Sequence, residues 1–148
     1  MGVGASTVGA IIASRRTHNP IGWLLCASGL VFGVAMFASE YAIHALLVAP
    51  GTLPAGEALA SVNPLWVLGF NLFVLVLILF PTGQLPRSRW RWLIYLYVAI
   101  AVVEVVAMLF LPGPLEGLEL IENPLGIESL PIGRKPVQAL VFTLGLVA

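Results

Sequence analysis

"WVLGFNLFVLVLILFPTGQLPRSRWRWLIYLYVAIAVVEVVAMLFL", Trp66 to Leu111, sets two long apolar runs on either side of a short polar turn. The first run carries no charge and one amide, Asn71; the second, from Leu93, carries a single carboxyl, Glu104. Crossing the hydrocarbon core of a bilayer takes roughly 20 mostly apolar residues in a helix. An open sheet would leave backbone groups unpaired in lipid, so helices are the expected form. With the apolar residues that flank them, the two runs become spans over about 62–80 and 92–111.

Working outward, the same pattern repeats. Upstream, residues 20–48 form a long apolar segment, and residues 2–14 form a shorter one. Downstream, residues 112–135 are a polar loop, after which residues 136–148 are apolar up to the last residue. The expected fold is an all-α membrane protein. It is a helical bundle of about five transmembrane segments, the first short and the last incomplete, with 1–148 forming one membrane domain.

Composition agrees. Of 148 residues, 59% are hydrophobic and 9% are charged. A soluble domain is typically about 25% charged, so this chain has too little polar surface to coat a water-facing globule. All seven acidic residues are Glu. The single Cys26 lies within an apolar stretch, so the chain alone holds neither a disulfide framework nor a thiolate metal cluster. The arginines of "MGVGASTVGAIIASRR" follow the apolar run, whereas a secretory signal places its basic residues first.

Local punctuation marks the ends of the spans. "HNPIGW" offers Asn19 as an N-cap, with Pro20 at the first helical position. "APGTLPAGE", from Ala49 to Glu57, is a Pro/Gly turn between the second and third spans. "SVNPLW" opens the third span, and "LPGPLEG" closes the fourth.

Cations alternate by loop. The first loop has Arg15, Arg16 and His18, the second has none, and the third has Arg87, Arg89 and Arg91. The fourth loop holds Glu116, Glu119, Glu122 and Glu128, with Arg134 and Lys135 only at its far end. The positive-inside rule then places loops one and three in the cytoplasm and the N-terminus outside. Arg15, Arg16, Arg87, Arg89 and Arg91 are topology anchors on this reading, and Trp90 and Trp92 fit the interfacial aromatic belt. Arginine beside aromatics also serves nucleic-acid binding. Three cations in one loop nevertheless fall short of the four to eight expected for headgroup recognition, and no nucleic-acid partner is expected.

Ionisable groups inside a span are functional candidates by default. Glu104 lies about a dozen residues into the fourth span. Glu40 and His44 lie late in the second, one turn apart on one face. Together they form a candidate proton-, cation- or ligand-sensing set open to the outside. The plainer alternative puts Glu40 and His44 in the headgroup zone and pairs Glu104 with a neighbouring helix. Nucleophile elbows, zinc-binding helices, phosphate loops and Cys/His clusters are missing from the sequence, so no catalytic residue, metal or cofactor is expected. Gly29 and Gly33 form a GxxxG, a motif that lets membrane helices approach closely and would suit a homodimer.

Four landmarks in order now suggest a family. "RRTHNPIGWLL" (Arg15–Leu25), "EYAIHALLVAPGTLPAGEALA" (Glu40–Ala60), "LFPTGQLPRSRWR" (Leu79–Arg91) and "NPLGI" (Asn123–Ile127) together resemble the N-terminal membrane region of bacterial sensor histidine kinases of the actinobacterial and chloroflexi type. That family's second landmark reads like "PGSLPGGE" and its third like "LFPDGRLPS". Thr82 therefore stands where the family has Asp, and Gln84 where it often has Arg. The resemblance implies a multi-pass sensor or anchor in the bacterial cytoplasmic membrane that serves a cytoplasmic kinase core or partner. The phosphoryl-accepting His and the nucleotide-binding boxes of such kinases are missing here, so the chain itself is expected to have no enzyme activity. A truncated or partial sensor, or a stand-alone descendant of one, is the expectation. The alternative is a small transporter or channel subunit that uses its intramembrane Glu.

Overall fold

The structure, a computed structural model, describes residues 2–84, 91–115 and 118–129. It is mostly helical. Helix α1 spans Gly2–Arg15 and α2 spans Pro20–Ile43, which continues into a π-helical turn at His44–Val48. A short α3 (Gly56–Ala60) and a 3-10 turn (Asn63–Leu65) lead into α4, Trp66–Leu79. Helix α5 spans Arg91–Phe110, and two short strands follow, β1 (Pro114–Leu115) and β2 (Leu118–Glu122).

Among the described residues, three stretches are long and apolar enough to cross a membrane: Pro20–Val48, Gly56–Leu79 and Arg91–Phe110. These match the expected second, third and fourth spans closely. The third is composite, because its 14-residue α4 reaches only about 21 Å and takes up α3 and the 3-10 turn to reach spanning length. The expected first segment is helical, but its 14 residues are likewise short for a crossing. The expected fifth segment, 136–148, lies outside the described residues. One departure from an all-α fold is the antiparallel pairing of β1 with β2 in the stretch expected as loop.

The chain divides into two compact units. The first comprises Met1–Met36 and Leu65–Val102. Asn19 Oδ1 accepts the Ile21 N–H at 3.0 Å, so the expected N-cap forms and α2 starts at Pro20. Helices α1 and α2 meet backbone to backbone. A Cβ on Gly22 would lie 2.6 Å from Ala13 N, and one on Gly9 would lie 2.7 Å from Cys26 N. Ile21, Leu25 and Val76 form a buried cluster with Ala5, Ile12, Leu24 and Leu79 packed against it, joining α1, α2 and α4. Ser28 donates to Gly69 O at 2.8 Å, which ties α2 to α4 by a buried polar contact. Gly83, with φ +73°, turns the chain after α4.

The second unit comprises Phe37–Pro64 and Val103–Ala148. Ala42 and Ala60, both fully buried, pack with Leu115, Leu118 and Ile121 of the hairpin, with Ile43 and Leu46 alongside. The hairpin therefore covers an apolar core and is more than a solvated connector. Tyr41 donates to Pro54 O at 2.8 Å and Asn63 Nδ2 donates to Ser39 Oγ at 2.9 Å, which fixes the turn after α2. Asn123 is buried, and its Nδ2 donates to Leu109 O and Leu111 O, both at 2.9 Å. Its Oδ1 accepts the Leu125 N–H, so one side chain satisfies the carbonyls that end α5 and shapes the "NPLG" turn.

Candidate functional site

The sequence candidates Glu40, His44 and Glu104 all fall in the second unit. Glu40 lies near the end of α2 and His44 opens the π-helical turn one helical turn later; both are exposed. Among the described residues no hydrogen bond or ion pair joins these two side chains. Glu104 is half-buried. It lies on the stripe of α5 that also holds Ile94, Tyr97, Ala101 and Met108, the less exposed side of a helix whose other side carries exposed Tyr95, Val102, Val103 and Val106. Intramembrane carboxyls generally lie on the less exposed side of their helix. The π-helical turn at His44 is itself a feature that recurs at functional sites.

An open depression of about 450 Å³ lies in the same unit, lined by Leu46, Leu47, Glu57, Leu120, Ile121, Glu122, Asn123 and Pro124. The sequence did not reveal it, because it needs the hairpin to fold back beside the residues that follow α2. Its lining mixes apolar side chains with two carboxylates, Glu57 and Glu122. No group of three or more His, Cys, Asp or Glu side chains gathers in a metal-binding arrangement among the described residues.

Another polar pair, in the first unit, involves a residue the sequence reading missed. Tyr97 donates to Asn71 Oδ1 at 2.6 Å, and Asn71 Nδ2 donates to Val67 O at 3.0 Å. Asn71 is visible in the sequence as the one amide in an apolar run. Tyr97 is not, since a tyrosine five residues from Trp92 reads as part of the interfacial belt.

Of the expected anchors, Arg15, Arg16, Arg91 and Trp92 are exposed, with Arg91 the first residue of α5. Arg87, Arg89 and Trp90 lie outside the described residues. Charge divides by unit. The first unit's ranges hold five arginines and no acid, while the second's hold all seven glutamates with Arg134 and Lys135. No protein-family model, curated protein or solved structure matches the chain.

Proposed function

We propose that this chain is the membrane-embedded sensor or anchor module of a two-component signalling histidine kinase. It sits in the bacterial cytoplasmic membrane as a bundle of about five segments, with its N-terminus outside and loops one and three in the cytoplasm. The observation that carries this reading is what the four landmark motifs do. Each ends or begins a helix through its own residues, and they meet in pairs. Asn19 and Pro20 of the first landmark press on Gly83 of the third, while Leu46, Leu47 and Glu57 of the second share a depression with Asn123 and Pro124 of the fourth.

Two details support the same reading. Ala55 has a left-handed backbone, φ +61°, where the family's landmark carries a glycine suited to that conformation. Thr82 Oγ1 accepts the Gln84 N–H at 3.3 Å, a local turn bond that an aspartate in its place would also make. The substitution of Asp by Thr therefore keeps the turn.

A sensor needs two arrangements of its helices, one of which binds the stimulus better. The glutamate-bearing second unit, with its depression, is where an outside stimulus would act. The test is to read the coding DNA beyond the Ala148 codon, together with the neighbouring genes. A dimerisation and kinase core in the same frame, or encoded next door, is the expected result. A stop codon with no kinase gene nearby would overturn the proposal for this chain. The position of Glu104 favours a second reading, a transporter or channel subunit. That reading predicts ion flux into proteoliposomes holding the chain alone, lost in Glu104→Gln.

A further inference from the structure

Local packing holds the walls of the second unit's depression in place. Leu46 and Leu47 come from the π-helical turn after α2. Gly56 lets α3 close on that turn, since a Cβ there would lie 2.9 Å from both Ala45 Cβ and Leu46 Cδ2, and the next residue is Glu57. The other wall is the end of β2 and the turn after it. Asn123 fixes that wall, because its backbone N–H donates to Gly113 O at 3.1 Å and its side chain is tied to the end of α5. At about 450 Å³ the depression falls within the size range of small-molecule sites, roughly 300–1,000 Å³.

The chemistry of the lining is one-sided. Glu57 and Glu122 are exposed, and a carboxylate only accepts hydrogen bonds. The side-chain donor in the lining is the Asn123 amide, whose Nδ2 already donates to Leu109 O and Leu111 O. Among the described residues no Lys, Arg or His lines the depression, and the described part of the unit carries neither Lys nor Arg. An anion would therefore meet like charge and no spare side-chain donor, whereas a cation bearing N–H groups would meet acceptors. The chemistry also argues against a bare metal ion. Calcium takes six to eight oxygen ligands, and the described residues gather no group of three or more acids. No aromatic ring lines the depression to cage a quaternary ammonium. Leu47 and Leu120, 42% and 82% exposed, leave apolar surface open beside the carboxylates.

We propose that the depression binds an organic amine. Glu57 and Glu122 take its ammonium group, and its apolar body lies against Leu46, Leu47, Leu120 and Ile121. This names a class of stimulus for the depression, and for that role it rests on the reading of the second unit as the place where an outside signal acts.

The test titrates 2-phenylethylammonium chloride into the full chain in phosphatidylcholine nanodiscs, with Leu and Ile methyl groups labelled for NMR. Saturable shifts are expected at Leu46, Leu47, Leu120 and Ile121. None is expected at Leu30, Leu77 or Leu96, whose exposed side chains on the apolar spans report simple partition into lipid. Neutral 2-phenylethanol should bind more weakly, and 3-phenylpropionate most weakly of the three. Exposed ion pairs are individually modest, so Glu57→Gln with Glu122→Gln is expected to raise Kd by about threefold or more. Leu120→Ser removes apolar surface without touching a charge and should raise Kd by about twofold or more. Amide exchange over Leu118–Glu122 checks that the hairpin stays folded in each variant, and the comparison of amine with alcohol needs no variant at all. Equal binding of amine and alcohol, shifts spread over the lipid-facing methyls, or a Kd unmoved by the Gln pair would overturn the proposal. Shifts at Leu120 that follow protein concentration without amine would assign the surface to a second copy and overturn it too. Binding is read without any kinase, so its failure is distinct from a failure of the sensor reading, which the coding DNA decides.

Discussion

Tyr97 and Asn71 are joined by a 2.6 Å hydrogen bond between α5 and α4, with the tyrosine hydroxyl as donor. Both helices are otherwise strongly apolar at this level, so the pair has no competing water if the spans lie in lipid. Side-chain hydrogen bonds between membrane helices average about 0.6 kcal/mol and reach about 1.7 kcal/mol. A double-mutant cycle with Tyr97→Phe and Asn71→Leu, followed by unfolding in mixed micelles, is expected to give a coupling in that range. Strictly additive losses would show that the pair does not hold α4 to α5.

Asn123 makes two donations to the end of α5 and one acceptance from Leu125. Asn123→Ala leaves the Leu109 and Leu111 carbonyls without this donor. A hydrogen bond of this kind contributes about 0.5–1.5 kcal/mol net. Amide hydrogen exchange over Leu118–Glu122 is expected to speed up in the variant, because the hairpin follows directly from that turn. Unchanged protection would mean that its apolar contacts with Ala42 and Ala60 suffice.

Ala55 holds a backbone conformation that costs an L-residue roughly 1–2 kcal/mol. Ala55→Gly removes that strain and adds some unfolded-state entropy, so a net stabilisation of up to about 1 kcal/mol is expected. A rise in Tm checks it. A fall would show that the methyl group contributes packing worth more than the strain.

Glycines on α1 and α2 divide sharply by contact. A side chain at Gly22 meets the α1 backbone, whereas one at Gly4 or Gly33 meets nothing within 4 Å. Gly22→Val should therefore destabilise by about 1–3 kcal/mol and loosen α1, while Gly33→Val should be near neutral. Proteolysis between α1 and α2 distinguishes them. The finding also limits the GxxxG reading. Gly29 is buried, but Gly33 has open space beside it, so the two do not line one contact within the chain.

The spans were legible because apolar runs of that length have few other uses, and their ends were legible because Asn-Pro and Pro-Gly have specific backbone consequences. Asn19 caps α2 as its residue type dictates. The hairpin was not legible. In "LELIE" the buried positions are Leu118 and Ile121 while Leu120 is 82% exposed, so the irregular register breaks the period of two that marks a strand. Among the candidate side chains, Glu104 stood out by its depth. The approach of the α1–α2 turn to the turn after α4 did not, because it depends on Gly83, far along the chain from Asn19.

The orientation of the chain in the membrane underlies the signalling reading. Single cysteines placed on a Cys26→Ser background at Thr52 and at Thr82, both exposed, test it directly. In right-side-out vesicles a membrane-impermeant maleimide is expected to label the cysteine at position 52. It should reach the one at position 82 only after the membrane is opened. Labelling of position 82 in sealed vesicles, with position 52 protected, would contradict the account.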